Sequence, residues 1–291
     1  MEYRISNEFI TVASSDKGAE LCSIKSNRDG LEYLWQADPA FWGRHAPVLF
    51  PIVGRLKEDK TLIEGRGYRM SQHGFARDMV FEVVEHSETT ITYRTESSGE
   101  TKERYPYDFV LYIGYMLKDN AVEVSYRVQN SSEKNMFFSI GAHPGFNCPL
   151  ETREEFEDYC LEFNRAELMD SYRLKKGLVQ NEKKLLFDAK VKCLNVSKEL
   201  FEADAIMLVD MESTELSLRS RKSGKGVSVG YQGFPYLGIW SKPEGAPFVC
   251  IEPWYGIADF EAGSGVFEEK RGVLKLQAGE SFTCSFTIKV Y

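Results

Sequence analysis

Residues 121–130 read AVEVSYRVQN. Val122, Val124, Tyr126 and Val128 fall on every second position, with Glu123, Ser125 and Arg127 between them. Successive side chains of an extended chain point to opposite sides, so the apolar groups share one face and the polar groups the other. That is the pattern of a half-buried antiparallel strand, with one face on a core and the other in water. Similar runs rich in Val, Ile, Phe, Tyr and Thr recur on either side: EFITVAS (8–14), MVFEVVEHS (79–87), TTITYRTE (89–96), FVLYIGYMLK (109–118), TELSLRS (214–220), GVSVGYQ (226–232) and SFTCSFTIKVY (281–291). Short turn sequences such as SDKGAE, SNRDG, ESSGE, RKSGKG and QAGES separate them. Helical periodicity is scarce, and short helical turns are expected only around DPAFWG (38–43) and VSKELFEA (196–203). No βαβ alternation is present, which argues against a doubly wound parallel sheet. The expectation is an all-β protein with few short helices. Residues 1–291 would form one large antiparallel sandwich domain.

The chain has 291 residues, long enough to bury a large core without disulfide or metal staples. Hydrophobic residues make up 43% and charged residues 27%, which excludes disorder along the whole length. The balance of 36 Lys and Arg against 44 Asp and Glu gives a net charge of −8. Nucleic acid and anionic membranes recruit concentrated positive charge, so neither is expected as a partner. The longest apolar stretch, HAPVLFPIVG (45–54), carries two prolines and runs into Arg55. The N-terminus bears Glu2, Arg4 and Glu8 where a secretory signal needs an apolar core. A soluble, cytoplasmic protein is therefore expected. The six cysteines (22, 148, 160, 193, 250 and 284) show no paired-thiolate spacing and are expected to be reduced, mostly buried thiols.

Four segments combine Gly or Pro with aromatics and ionisable groups: APVLFPIVGRLKED (46–59), SQHGFARDMVF (71–81), SIGAHPGFNCPL (139–150) and FVCIEPWYGIADF (248–260). Binding loops on a rigid scaffold have this character. Of the four histidines, His73 and His143 fall in these segments, His45 lies in FWGRHAPVLF and His86 ends a polar strand. A lone histidine in an apolar run is often only a hydrogen-bonded core residue, or, like His73, a turn residue capping a strand. Glu252 is more telling, because a carboxylate between Ile251 and Pro253 is costly to bury unless something pairs with it or uses it. Its simplest structural role is a salt bridge, with Arg55 as the candidate partner. Two imidazoles, a carboxylate and a guanidinium suit acid–base work on a polyhydroxy ligand. Phe75, Phe146, Phe234, Tyr236, Trp240 and Trp254 offer either stacking surfaces for a sugar ring or ordinary core.

These segments resemble the aldose 1-epimerase, or galactose mutarotase-like, family, and within it the bacterial LacX-type branch. The resemblance runs over nearly the whole chain. It is carried by GAELCSIKS, EYLWQADPAFWGRHAPVLFPIVGRLKED, HGFARDMVFEV, GAHPGFNCPL, FPYLGIWSKP and IEPWYGIAD, in that order. It implies a large antiparallel β-supersandwich and an isomerase that interconverts the α and β anomers of a hexose. It further implies Glu252 of EPW as general base and His143 of GAHPGF as general acid. His73 of HGFAR and Arg55 of IVGR would bind the sugar, with Trp240 beside them. The family's sugar-binding aspartate is matched best by Asp204 in FEADAIML, with Asp210 in LVDMES as competitor.

Anomer exchange needs a base at the C1 hydroxyl and an acid at the ring oxygen O5. The hemiacetal opens, the C1–C2 bond turns, and reclosure inverts C1. On this expectation Glu252 is ionised and His143 protonated at the start, the two facing each other across the pyranose, with Arg55 favouring the carboxylate if adjacent. No cofactor and no metal is required, since the substrate carries its own electrophile. Three other readings compete. One is a hexose 6-phosphate as substrate, with Arg44, Lys57, Arg77 and Lys242 as candidate phosphate ligands. A second is a non-catalytic sugar-binding protein on the same fold. The third is a metal site of His73, His143 and Glu252, which lacks close histidine spacing.

Overall fold

The computed structural model describes residues 1–187, 189–202 and 204–291. Almost all of its regular structure is antiparallel β. Nine strands form the larger sheet, in the order Val191–Asn195, Tyr159–Glu167, Glu215–Ser220, Gly226–Gly230, Ser281–Val290, Ala121–Asn130, Phe109–Lys118, Thr90–Glu96 and Glu82–His86. Ala121–Asn130 lies near its middle, between Phe109–Lys118 and Ser281–Val290. Val122, Val124, Tyr126 and Val128 are buried, while Glu123, Ser125 and Arg127 are not, as the alternation requires.

The second sheet orders Leu178–Leu185, Asp170–Lys175, Ile206–Val209, Tyr236–Trp240, Phe248–Tyr255, Ile140–Ala142 and Val48–Leu49, with Gly145–Asn147 also paired to Phe248–Tyr255. Its strands Ile206–Val209 and Phe248–Tyr255 are buried on both sides, so their sequences read as continuous apolar runs rather than alternations. Ile206, Leu208, Leu237, Ile239, Val249 and Ile251 join the main core together with residues of the nine-stranded sheet. Met207, Val209 and Trp254 turn to the opposite face and build a smaller cluster with Leu49, Val53, Tyr172 and Val179. That second face carries the chemistry. A three-stranded sheet (Glu2–Ser6, Ile10–Ser15, Leu21–Ser26) and two hairpin-sized ladders complete the strands described.

Helix is limited, among the described residues, to Gly99–Lys102 and five short 3₁₀ turns. One of these turns, Glu199–Phe201, lies in VSKELFEA, whose last residue, Ala203, falls outside the described residues. DPAFWG forms a single hydrogen-bonded turn that does not continue into a helix. The Asp38 carbonyl accepts from the amides of Phe41 and Trp42, and its carboxylate from Ala40, giving a tight turn. No helix among the described residues is long and apolar enough to cross a membrane.

Candidate active site

The register of the second sheet brings two distant motifs into contact. Gly141 pairs with Trp254 and Gly145 with Cys250, so the intervening His143 lies opposite Glu252. His143 Nε2 is 3.2 Å from Glu252 Oε2. Cys250, Glu252 and Trp254 share one strand face by period two, and that face looks away from the main core. Gly238 is the cross-strand partner of Glu252, and a Cβ there would fall 2.4 Å from the Trp254 ring. The absence of that carbon lets the indole lie along the sheet beside the carboxylate.

Above the pair is a cavity of about 470 Å³, within the range of small-molecule sites. Arg55, His73, His143, Asp204, Trp240 and Glu252 all line it, so every residue named from the sequence as catalytic or sugar-binding converges there. Trp42, Gln72, Lys176 and Trp254 contribute further side chains. Trp42 stacks on the His143 ring, with centroids 4.8 Å apart, and Trp240 meets the same ring edge-on at 5.8 Å. Phe75, Phe146 and Phe234 belong to the main core instead. Asp210 is exposed and paired with Lys183, outside the cavity that Asp204 lines.

His73 is held by a reciprocal clamp: its amide donates to the Gly54 carbonyl, and its Nδ1 accepts from the Gly54 amide at 3.2 Å. A neutral imidazole with Nδ1 accepting carries its proton on Nε2. The Gln72 amide, 3.2 Å from Nε2, must then present its oxygen there. His73 has φ +68°, and Lys176 and Asp204 occupy the same left-handed region at +53° and +75°. Such backbone is uncommon for residues other than glycine and is concentrated at functional turns.

Two expectations need correction. Arg55 does not pair with Glu252. Its Nε and Nη2 donate to the Asp59 carboxylate at 2.9 and 3.1 Å, because both sit on one exposed turn. Glu252 and His143 touch along one wall rather than face each other across a sugar. Glu252 is 1% exposed and His143 9% exposed. Burial pushes the Glu252 carboxyl well above its ordinary value, against a smaller opposing pull from Trp254, and pushes His143 down to about 3. His73 is driven well below its ordinary value by burial and then by His143. Both shifts disfavour the charged forms of the pair. Glu252 Oε2 and His143 Nδ1 make no hydrogen bond among the described residues.

The four cations considered as phosphate ligands do not line the cavity. Arg44 pairs with Asp78, Arg77 donates to the Gln72 carbonyl, and Lys57 borders a separate groove. The cations that do line it are Arg55 and Lys176. For metal ligation, His73 is not part of the cluster that forms. His143, Cys250 and Glu252 place one ligand atom each within 4.8 Å of one another. Trp42, Gln72, Lys176 and Cys250 were not singled out from the sequence. Only Trp42 and Cys250 carried a local signal, as an aromatic and a thiol inside the segments FWGRH and FVCIEPW.

An antiparallel sandwich thus carries a carboxyl–imidazole pair in an aromatic-walled cavity. The chain belongs to the aldose 1-epimerase family, whose profile matches residues 1–263. It is 36% identical to the chromosomal protein LacX of Lactococcus lactis subsp. lactis, with 100% of this chain and 99% of that protein covered. Among solved structures, a galactose mutarotase related enzyme from Lactobacillus acidophilus is 38% identical with a TM-score of 0.95, covering 100% of this chain and 97% of that one. A galactose mutarotase-like protein from Lactobacillus casei is 31% identical with a TM-score of 0.92, both chains being fully covered.

Proposed function

We propose that the protein is an aldose 1-epimerase that exchanges the α and β anomers of a hexose. The observation that carries this reading is the 3.2 Å contact between Glu252 and His143 on the wall of a cavity built for a small ligand. The C1 hydroxyl and the ring oxygen are bonded to the same carbon. A base and an acid side by side reach both at once, whereas groups on opposite sides of a ring do not.

In the assignment carried over from the family, Glu252 takes the C1 hydroxyl proton while His143 donates to O5. The C1–O5 bond breaks and C1 becomes an aldehyde. After rotation about C1–C2, His143 recovers the proton from the C5 hydroxyl as that oxygen attacks the other carbonyl face, and Glu252 returns its proton to the oxygen on C1. The pair carries one proton in total, so it holds one acid and one base however that proton is distributed. Moving it from Glu252 to the imidazole creates the charged form, which the polar groups of an incoming sugar stabilise in place of water. Arg55, His73, Gln72 and Asp204 supply polar contacts to the hydroxyls, and Trp42, Trp240 and Trp254 supply faces for the C–H side of the ring.

The test is exchange of freshly dissolved α-glucose and α-galactose, followed by polarimetry or NMR, with Glu252→Gln as the variant. A lost base lowers the rate by about 10²–10⁴-fold, with sugar binding retained. Near-full activity in Glu252→Gln removes it from the base role. An inactive wild type that still binds sugar makes the chain a binding protein. One observation favours a hexose 6-phosphate over a free hexose: Lys176 and Arg55 both line the cavity, and Lys176 forms no ion pair among the described residues. Comparing kcat/KM on glucose and glucose 6-phosphate separates the two.

A further inference from the structure

We propose that His143, Cys250 and Glu252 form a binding site for a borderline-soft divalent cation of the Zn²⁺ type, which blocks the sugar site when filled. One imidazole nitrogen, one sulfur and one carboxylate oxygen lie within 4.8 Å of one another. Ligands of a single tetrahedral zinc sit about 3–4 Å apart, given bonds of about 2.0–2.3 Å. The cluster therefore needs only a small contraction to close on an ion. The mixed N, S and O donor set selects zinc-like ions over Mg²⁺ and Ca²⁺, which prefer oxygen alone.

Two further observations point to a missing ligand. Glu252 Oε2, 3.2 Å from His143 Nε2, is buried without a hydrogen-bond partner among the described residues, although buried polar atoms are nearly always paired. The donors are also fixed by backbone rather than by flexible loops: Cys250 and Glu252 share one face of the strand Phe248–Tyr255, and the neighbouring register delivers His143 opposite. Trp42 and Trp240 hold the imidazole from two sides. His143 and Glu252 border the cavity, which provides an entry path and an open fourth position. Cys250 is fully buried and does not border the cavity, so the sugar has no use for it. An ion held here would occupy the lone pairs that proton transfer requires. The blockade rests on the mutarotase reading, whereas the ion site does not.

Cys160 and Cys193 lie on adjacent strands and are close enough to interact, so they offer a second place for zinc. The test therefore uses the full chain with Cys193→Ser, equilibrium dialysis against ZnCl₂ and elemental analysis. One ion per chain is expected, retained when Cys284→Ala is added and weakened at least about tenfold when Cys250→Ala is added. Thermal denaturation confirms that each variant is folded. If Cys250→Ala does not fold, Co²⁺ loading of the Cys193→Ser protein reads thiolate ligation directly, through its sulfur-to-cobalt absorption band. Zn²⁺ at a concentration that just fills the Cys193→Ser site should slow anomer exchange tenfold or more in that protein, and the Cys250→Ala variant should need at least about tenfold more zinc for the same slowing. The proposal is overturned if no ion is retained, if Cys250→Ala retains it equally, if cobalt shows no thiolate band, or if a bound ion leaves exchange unslowed. A protein with no exchange even without zinc defeats the mutarotase reading instead, and dialysis alone then decides the ion site.

Discussion

Replacing Glu252 with Gln should change how stability depends on pH, with a sign that follows from burial. In the unfolded chain this carboxyl ionises at its ordinary value of 4.5, whereas in the fold burial keeps it protonated well above that. Between those two limits the native state holds a proton that the unfolded state has lost, so stability falls as pH rises. His143 acts in the opposite sense: its value drops from 6.5 to about 3, so its contribution rises with pH across that interval. In wild type the two slopes cancel between 4.5 and 6.5, where folded and unfolded pairs each hold one proton. Above 6.5 only the Glu252 slope remains. One proton is worth about 1.4 kcal/mol per pH unit, so Glu252→Gln should gain on wild type at up to that slope as pH rises above about 5. Urea denaturation at half-unit pH steps measures the difference. Parallel curves for the two proteins would mean that Glu252 is ionised in the fold. The charged pair with His143 would then prevail over burial in the empty site.

The same shared proton predicts a bell-shaped pH–rate profile for anomer exchange, measured by NMR. The acid limb marks loading of a second proton onto the pair and the alkaline limb loss of the only one; a profile with a single limb removes one of the two assignments. Arg55→Ala should leave the melting temperature nearly unchanged, since the side chain is 41% exposed and pairs only with Asp59, but should raise KM about tenfold. An unchanged KM would place Arg55 outside the sugar contacts. Gly54→Ala should destabilise the fold by about 1–3 kcal/mol from backbone conformation alone, because φ is +73°. The new Cβ would also lie 2.5 Å from the Ala258 Cα. Thermal melts read this, and a wild-type melting temperature would contradict the geometry.

The β-architecture was legible because strand periodicity is written locally, as in AVEVSYRVQN. The strand Phe248–Tyr255 was harder, since both of its faces are covered and its apolar run carries no alternation. Glu252 stood out there because a lone carboxylate in such a run demands a reason. The motifs carried the cavity-lining set as far as Arg55, His73, Asp204 and Trp240. They did not carry electrostatics. The partner of Arg55 is set by a turn four residues long, and the protonation of Glu252 and His143 by how completely the fold excludes water. Nor could spacing reveal that Cys250 joins the pair, because that depends on cross-strand register rather than on distance along the chain.

Glu252 stands on a hydrogen-bonded strand and His143 in the two-residue break between the strands Ile140–Ala142 and Gly145–Asn147 that pair with it, while His73, Lys176 and Asp204 stand on turns in left-handed backbone. The two groups thus answer to different constraints. A mutation or insertion in a turn can reshape the mouth of the cavity without shifting the reactive centre. If the proposed function holds, discrimination among sugars can drift on this scaffold while bond-making chemistry stays anchored, which makes the three turns the natural targets for redirecting it to another aldose.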